Sequence, residues 1–115
     1  MSPSSDPYFR LDNIKGITVV TFLGPKLGIE VRDSLYSLVD QERHKSLLLN
    51  FENVPFFSSA PLGVLINLRK KVEEAGGQLK VCRLSPDLLE LFRITKLDHF
   101  FAIHGDQQDA LREFS

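Results

Sequence analysis

Residues 48–65 read LLNFENVPFFSSAPLGVL, and the change of pattern within them decides the fold. The apolar run over residues 46–51 is short and nearly continuous, which is typical of a strand covered on both faces in a parallel sheet. After the loop, apolar residues recur at helical spacing over residues 62–72, and Gly76-Gly77 predicts the end of that helix. A buried strand followed by an amphipathic helix predicts one βα unit.

The same alternation continues on both sides of this unit. Upstream, the β-branched run at residues 17–22 predicts a strand, and Lys15-Gly16 predicts a turn to an edge strand over residues 9–14. A helix is expected from Ile29, where the spacing of apolar residues changes. Downstream we expect a strand over residues 79–82, a helix capped by Ser85, a strand over residues 100–103 and a helix capped by Asp106.

The predicted order is β-β-α-β-α-β-α-β-α. Strands that alternate with helices predict an α/β domain with parallel strand pairs. We expect five strands and four helices in one domain over residues 8–115, preceded by a flexible leader at residues 1–7.

The composition excludes several classes of protein. The chain has 115 residues, of which 43% are hydrophobic and 25% charged, with a net charge of −1, as in an ordinary globular domain. The basic cluster at residues 69–71 is followed at once by Glu73 and Glu74, so we expect no nucleic-acid partner. No apolar run approaches the length of a membrane span, and residues 1–7 do not form a signal peptide. A single cysteine allows no intramolecular disulfide, so a cytoplasmic location is expected.

The sequence offers little catalytic chemistry. Its single cysteine, Cys82, falls within a predicted strand and is interpreted as a core residue, and the three histidines show no metal-ligand spacing. Ser58 and Ser59 are candidate nucleophiles, but no histidine is placed near them to act as a base. We therefore expect a protein without enzymatic activity, metal or cofactor.

The start of the second helix is the segment with the clearest functional potential. A helix N-terminus offers unpaired N–H groups and partial positive charge, which favour a phosphate or a carboxylate. Capping by Ser58 or Ser59, with the helix beginning at Pro61, is an equally good interpretation. Of the adjacent Phe56 and Phe57, one is expected in the core and one near the surface, and burial of both is left open.

The order and spacing of several segments resemble the STAS domain, the family of bacterial anti-sigma-factor antagonists. The resemblance covers about residues 8–114. The segments that carry it are residues 48–65, 74–77, 79–82, 84–86 and 91–98, and Asp106 followed by Ala110-Leu111. It implies a mixed sheet and a module that acts by binding another protein.

The resemblance also shows two departures from the family pattern. The family signature at the second helix is D-S-S-G-L-G, whose second serine is the phosphoacceptor. The ungapped flanks place Ser58 at the aspartate, Ser59 at the first serine, Ala60 at the phosphoacceptor and Pro61 at the glycine. The G-x-L-D pattern after the first long strand is also missing, since residues 24–28 read GPKLG with no acid before Glu30.

The resemblance implies that the partner is a kinase-type anti-sigma factor, and that the usual serine switch is absent because alanine has no hydroxyl. Two alternatives remain: phosphorylation at Ser59, or less readily at Ser58, and binding of a nucleotide or small anion at the helix N-terminus. The oligomeric state is left open. The expected partner-binding residues lie in the two loops: Ser58, Ser59, Ala60, Pro61, Leu62, Gly63, Pro25, Lys26 and Leu27.

Overall fold

The computed structural model describes residues 7–114, and the leader predicted for residues 1–7 lies outside them except for Pro7. The elements, in chain order, are β1 (Phe9–Ile14), β2 (Ile17–Phe22), a 3-10 turn (Ile29–Val31), α1 (Arg32–Asp40), β3 (Ser46–Asn50), α2 (Ala60–Glu74), β4 (Gln78–Cys82), α3 (Pro86–Ile94), β5 (Ala102–His104) and α4 (Gln107–Arg112).

The five strands form one mixed sheet in the order β1-β2-β3-β4-β5. The first two strands are antiparallel and are joined by Lys15 and Gly16, which both have positive φ, as a tight two-residue hairpin requires. The remaining neighbours are parallel. The predicted α/β fold with a mixed sheet and four helices is therefore confirmed.

The sheet has two unequal sides. The main core lies on the side packed by α1, α2 and α3, and it includes the fully buried Leu49, Leu65 and Phe92. The other side carries a smaller cluster around Val19, Leu48 and Ala110, covered by the six-residue α4. The carboxyl ends of the four parallel strands meet at one edge, and the loops that lead into the helices lie there.

The position of the last strand differs from the prediction. Residues 100–103 were expected to be extended, but the strand spans Ala102–His104. The backbone N–H groups of Phe100 and Phe101 both donate to the carbonyl of Leu97, at 3.0 Å, which holds these two residues in a turn. Aromatic residues favour strands in general, but here the turn after α3 takes up their donors.

Candidate functional site

The loop between β3 and α2 lies at the carboxyl edge of the sheet and is anchored by two phenylalanines. The Phe51 ring stacks on Phe22, with centroids 4.9 Å apart, and the Phe57 ring lies 5.9 Å from that of Phe51. Phe57 is 4% exposed, whereas the adjacent Phe56 is 50% exposed. One phenylalanine is therefore in the core and its neighbour at the surface, which resolves the alternative left open by the sequence.

The helix α2 begins at Ala60, one residue earlier than predicted. Ser59 is the N-cap residue, with φ −70° and ψ −17°, and its side chain makes no capping hydrogen bond. Pro61 occupies the second helical position, where its missing N–H group costs nothing because the first-turn N–H groups have no intrahelical partner. The predicted capping by Ser58 or Ser59 is therefore wrong: neither side chain caps this helix.

The residues at the start of α2 divide by exposure. Ser58, Ser59, Ala60 and Gly63 are exposed, and we call these four residues the α2 mouth. Pro61 and Leu62 are buried against the core. A Cβ atom added at Gly63 would meet no atom within 4 Å, so this part of the mouth is open.

None of the four residues of the α2 mouth has a charged side chain. The first turn of α2 contains no acidic residue, so the positive end of the helix dipole is not balanced there. Neither Ser58 nor Ser59 makes a side-chain hydrogen bond within residues 7–114, so no histidine activates them in the described chain. His44 lies elsewhere, with Nδ1 2.9 Å from the Thr18 hydroxyl.

The loop after β2 lies against the loop that leads to α2. The side chain of Asn53 donates from Nδ2 to the carbonyl of Phe22, at 3.1 Å. A Cβ atom at Gly24 would lie 2.1 Å from the Asn53 carbonyl oxygen, and Gly24 has φ +51°, so only glycine fits this contact. Of the predicted contact residues in this loop, Pro25 and Lys26 are exposed, while Leu27 is 9% exposed and packs in the core.

Exposed apolar side chains accompany these loops. Six large apolar residues are exposed in the described part of the chain, and four of them belong to segments at this end: Tyr8, Leu23, Ile29 and Phe56. The backbone N–H of Leu23 donates to the carbonyl of Tyr8, which places these two residues together beside Gly24. Sequence reasoning missed Tyr8, Leu23 and Ile29, although each is an apolar residue just outside a strand or helix stripe, which is the signal that could have identified them.

The single cysteine has a structural role. Cys82 is fully buried, and burial raises the pKa of its thiol to about 12, so the thiol stays protonated at neutral pH.

Within residues 7–114, no group of three or more histidine, cysteine, aspartate or glutamate residues is placed to hold a metal ion. In that same range no helix is both long enough and apolar enough to cross a membrane.

Comparison with known proteins gives consistent matches. The STAS domain family matches residues 8–110. An anti-sigma F factor antagonist from Paenibacillus polymyxa is 25% identical over 107 residues, which are 90% of this chain and 92% of that protein.

Solved structures agree with the fold. The crystal structure of a putative anti-sigma factor antagonist from Thermotoga maritima is 22% identical, with a TM-score of 0.77, and the alignment covers 92% of this chain and 93% of that one. A STAS domain protein from Planctomyces limnophilus is also 22% identical, with a TM-score of 0.80, and the alignment covers 90% of this chain and 95% of the other. Since the family match spans nearly the whole chain, this protein belongs to the STAS domain family.

Proposed function

We propose that this chain is a non-enzymatic cytoplasmic regulator that binds a kinase-type anti-sigma factor through the α2 mouth and the adjacent residues Pro25 and Lys26. The Paenibacillus relative named as an anti-sigma F factor antagonist supports this class of activity. The proposed contact is protein–protein and needs no cofactor.

The observation that carries the proposal is the identity and position of Ala60. By the resemblance, this residue corresponds to the family phosphoacceptor, and it is exposed and is the first residue of α2. The position is therefore reachable by a partner, but its methyl side chain has no oxygen to accept a phosphoryl group. In this proposal the protein stays in the unmodified, binding-competent form.

The physical effect of losing the serine follows from charge. A phosphate would add about −1.5 to −2 charges. In the free protein the helix N-terminus stabilises such a charge by roughly 0.3–1 kcal/mol, whereas desolvating it beneath a partner costs several kcal/mol. A phosphorylated α2 mouth is thus stable in the free protein but weakens partner binding. Alanine at position 60 removes this means of weakening the binding.

The exposed apolar residues around the two loops support a protein partner rather than a small anion. Phe56 and Leu23 are large and exposed, and aromatic residues such as Phe56 are enriched in protein interfaces. A nucleotide site would benefit from several cationic side chains, but Lys26 is the one cation of the proposed surface, and no lysine or arginine occurs between Lys45 and Arg69. Isothermal titration with ATP and GTP at moderate salt is expected to show no binding.

A pair of matched variants tests the surface. Gly63→Gln adds a side chain to the open part of the mouth, and Asn67→Gln changes an exposed residue one turn further along α2. Titrated against the purified kinase-type anti-sigma factors of the same genome, the Gly63 variant is expected to bind at least about tenfold more weakly, while the Asn67 variant binds like the wild type. Equal binding by both variants, or no binding by any such factor, would overturn the proposal.

Phosphorylation at Ser59 is the alternative with some structural support. Its hydroxyl is exposed and makes no capping hydrogen bond, so it is open to modification. In-line phosphoryl transfer requires close placement of the attacking oxygen, which disfavours a serine displaced by one residue from the family position. If the wild type does accept phosphate from its partner kinase, loss of that phosphate in Ser59→Ala would establish this alternative.

A further inference from the structure

A second surface lies at the opposite edge of the sheet from the α2 mouth. A groove of about 630 Å³ opens there between the β1–β2 turn, the first residue of β3 and α4. Its apolar lining comes from Ile14, Ile17, Leu111 and Phe114. This volume is in the range of small-molecule sites, which are concave and mostly apolar.

The apolar lining is left open because α4 is short. The helix has six residues and packs on β3, β4 and β5, whereas the groove lies towards the β1–β2 end of the same face. Ile14, Leu111 and Phe114 are consequently only partly buried where they join the smaller core cluster. A ligand that covered them would gain the free energy of removing apolar surface from water.

The charged side chains that line the groove are both cations. They are Lys15 and Arg112, and none of the aspartate or glutamate side chains in residues 7–114 lines the groove. Lys15 forms no ion pair within residues 7–114, and Arg112 pairs through one guanidinium nitrogen with Asp109, which leaves its other N–H groups free. The groove therefore combines an apolar wall with the unpaired charge of Lys15 and the singly paired guanidinium of Arg112.

The position of Lys15 is fixed by the turn. Lys15 has φ +54° and precedes Gly16 in the two-residue hairpin, and the N–H of Gly16 donates to Asn13 Oδ1 at 3.2 Å. A cation mounted on a tight turn beside an apolar groove loses little backbone freedom on binding an anion.

We propose that this groove binds an amphipathic carboxylate, namely a medium-chain fatty acid. The alkyl chain lies against Ile14, Leu111 and Phe114, and the carboxylate lies between Lys15 and Arg112. This binding is independent of the docking proposal, because the groove and the α2 mouth lie at opposite edges of the sheet.

The test is an NMR titration of the full chain with decanoate, kept below the concentration at which it forms micelles. Chemical-shift changes are expected at Ile14, Leu111 and Phe114 and not at the α2 mouth. Octanoate should bind about fifteenfold more weakly, since each buried methylene contributes about fourfold. Decan-1-ol, which lacks the charge, should bind at least about tenfold more weakly than decanoate.

Two pairs of matched substitutions separate a specific site from surface charge. The test variant is Lys15→Asn with Arg112→Gln, and asparagine tolerates the positive φ at position 15. The control is Lys96→Asn with Arg93→Gln, because Lys96 also has positive φ and Arg93 pairs with an acid three residues away with the same 68% side-chain exposure as Arg112.

Decanoate affinity is expected to fall at least tenfold in the test variant and to stay within twofold in the control. An absence of binding to the wild type, equal binding of decan-1-ol, or equal affinity in the two double variants would each overturn the inference. Shifts spread over the α2 mouth instead of the groove would do the same.

Discussion

The starts of α2 and α3 lie at the same edge of the sheet but are built in opposite ways. At α3, Ser85 has extended backbone geometry, and its hydroxyl accepts from the N–H of Leu88 at 3.1 Å and donates to the carbonyl of Pro55. Asp87 adds a negative charge in the first turn. At α2, Ser59 has helical geometry, its side chain caps nothing, and the first turn has no acid.

The difference shows that a helix N-terminus can be capped by its own chain, which stabilises the fold, or can be left uncapped and available to a partner. The α3 start has its donors and dipole satisfied by its own chain, so it contributes to stability. At the α2 start the Leu62 N–H bonds to the Ser59 carbonyl, at 3.1 Å, but no side chain caps the helix and no first-turn acid balances its dipole. Phe57, Pro61 and Leu62 are buried and hold the segment in place. On this account, changes at the α2 mouth alter partner binding without destabilising the fold, and changes at the α3 start destabilise the fold without altering partner binding.

The largest expected effect comes from placing a charge on the α2 mouth. Ala60→Glu introduces a carboxylate at the first residue of α2, where the helix dipole stabilises it in the free protein. Desolvating that charge in the complex costs about 3 kcal/mol, so partner affinity should fall by about 100-fold in calorimetric titrations. Pro86→Glu puts the same charge at the first residue of α3 and should leave affinity within twofold of the wild type; a comparable loss would contradict the comparison.

A smaller effect, on stability, is expected from removing the two serine side chains. Ser85→Ala loses the cap and the bond to Pro55, and the free energy of unfolding in urea should fall by about 1–2 kcal/mol. Ser59→Ala removes a hydroxyl with no intramolecular partner and should change it by less than about 0.5 kcal/mol. Equal losses in the two variants would mean that the α2 start is capped as well.

The smallest effect is a gain. Gly63 is exposed and lies inside α2, and an added methyl group would meet only open space, so Gly63→Ala should raise the free energy of unfolding by roughly 0.8–1 kcal/mol. A loss of stability in the same urea experiment would show that the mouth is more crowded than its geometry indicates.

Much of the fold could be predicted from short stretches of sequence. The caps at Ser85 and Asp106 and the turn at Lys15-Gly16 act within three residues of sequence, and the structure confirms all three. The last strand was misplaced because the aromatic run at residues 100–101 satisfies its backbone donors on Leu97, a choice that strand propensity does not reveal.

The site was less predictable because exposure depends on packing between distant segments. Helical spacing predicts the burial of Leu62, and the resemblance could assign Ala60 and Gly63 to a surface, but the burial of Leu27 depends on how its loop closes over the main core. The contact between Gly24 and Asn53, like the groove between the β1–β2 turn and α4, joins segments remote in sequence and has no local signature.

The central claim is that the α2 mouth binds its partner without being regulated by phosphorylation, and mass spectrometry tests it most directly. The wild type and Ala60→Ser are each incubated with the cognate kinase-type anti-sigma factor and ATP, and their intact masses are measured. We expect the wild type to keep its mass and the serine variant to gain one phosphate. A stoichiometric phosphate on the wild type would contradict the claim.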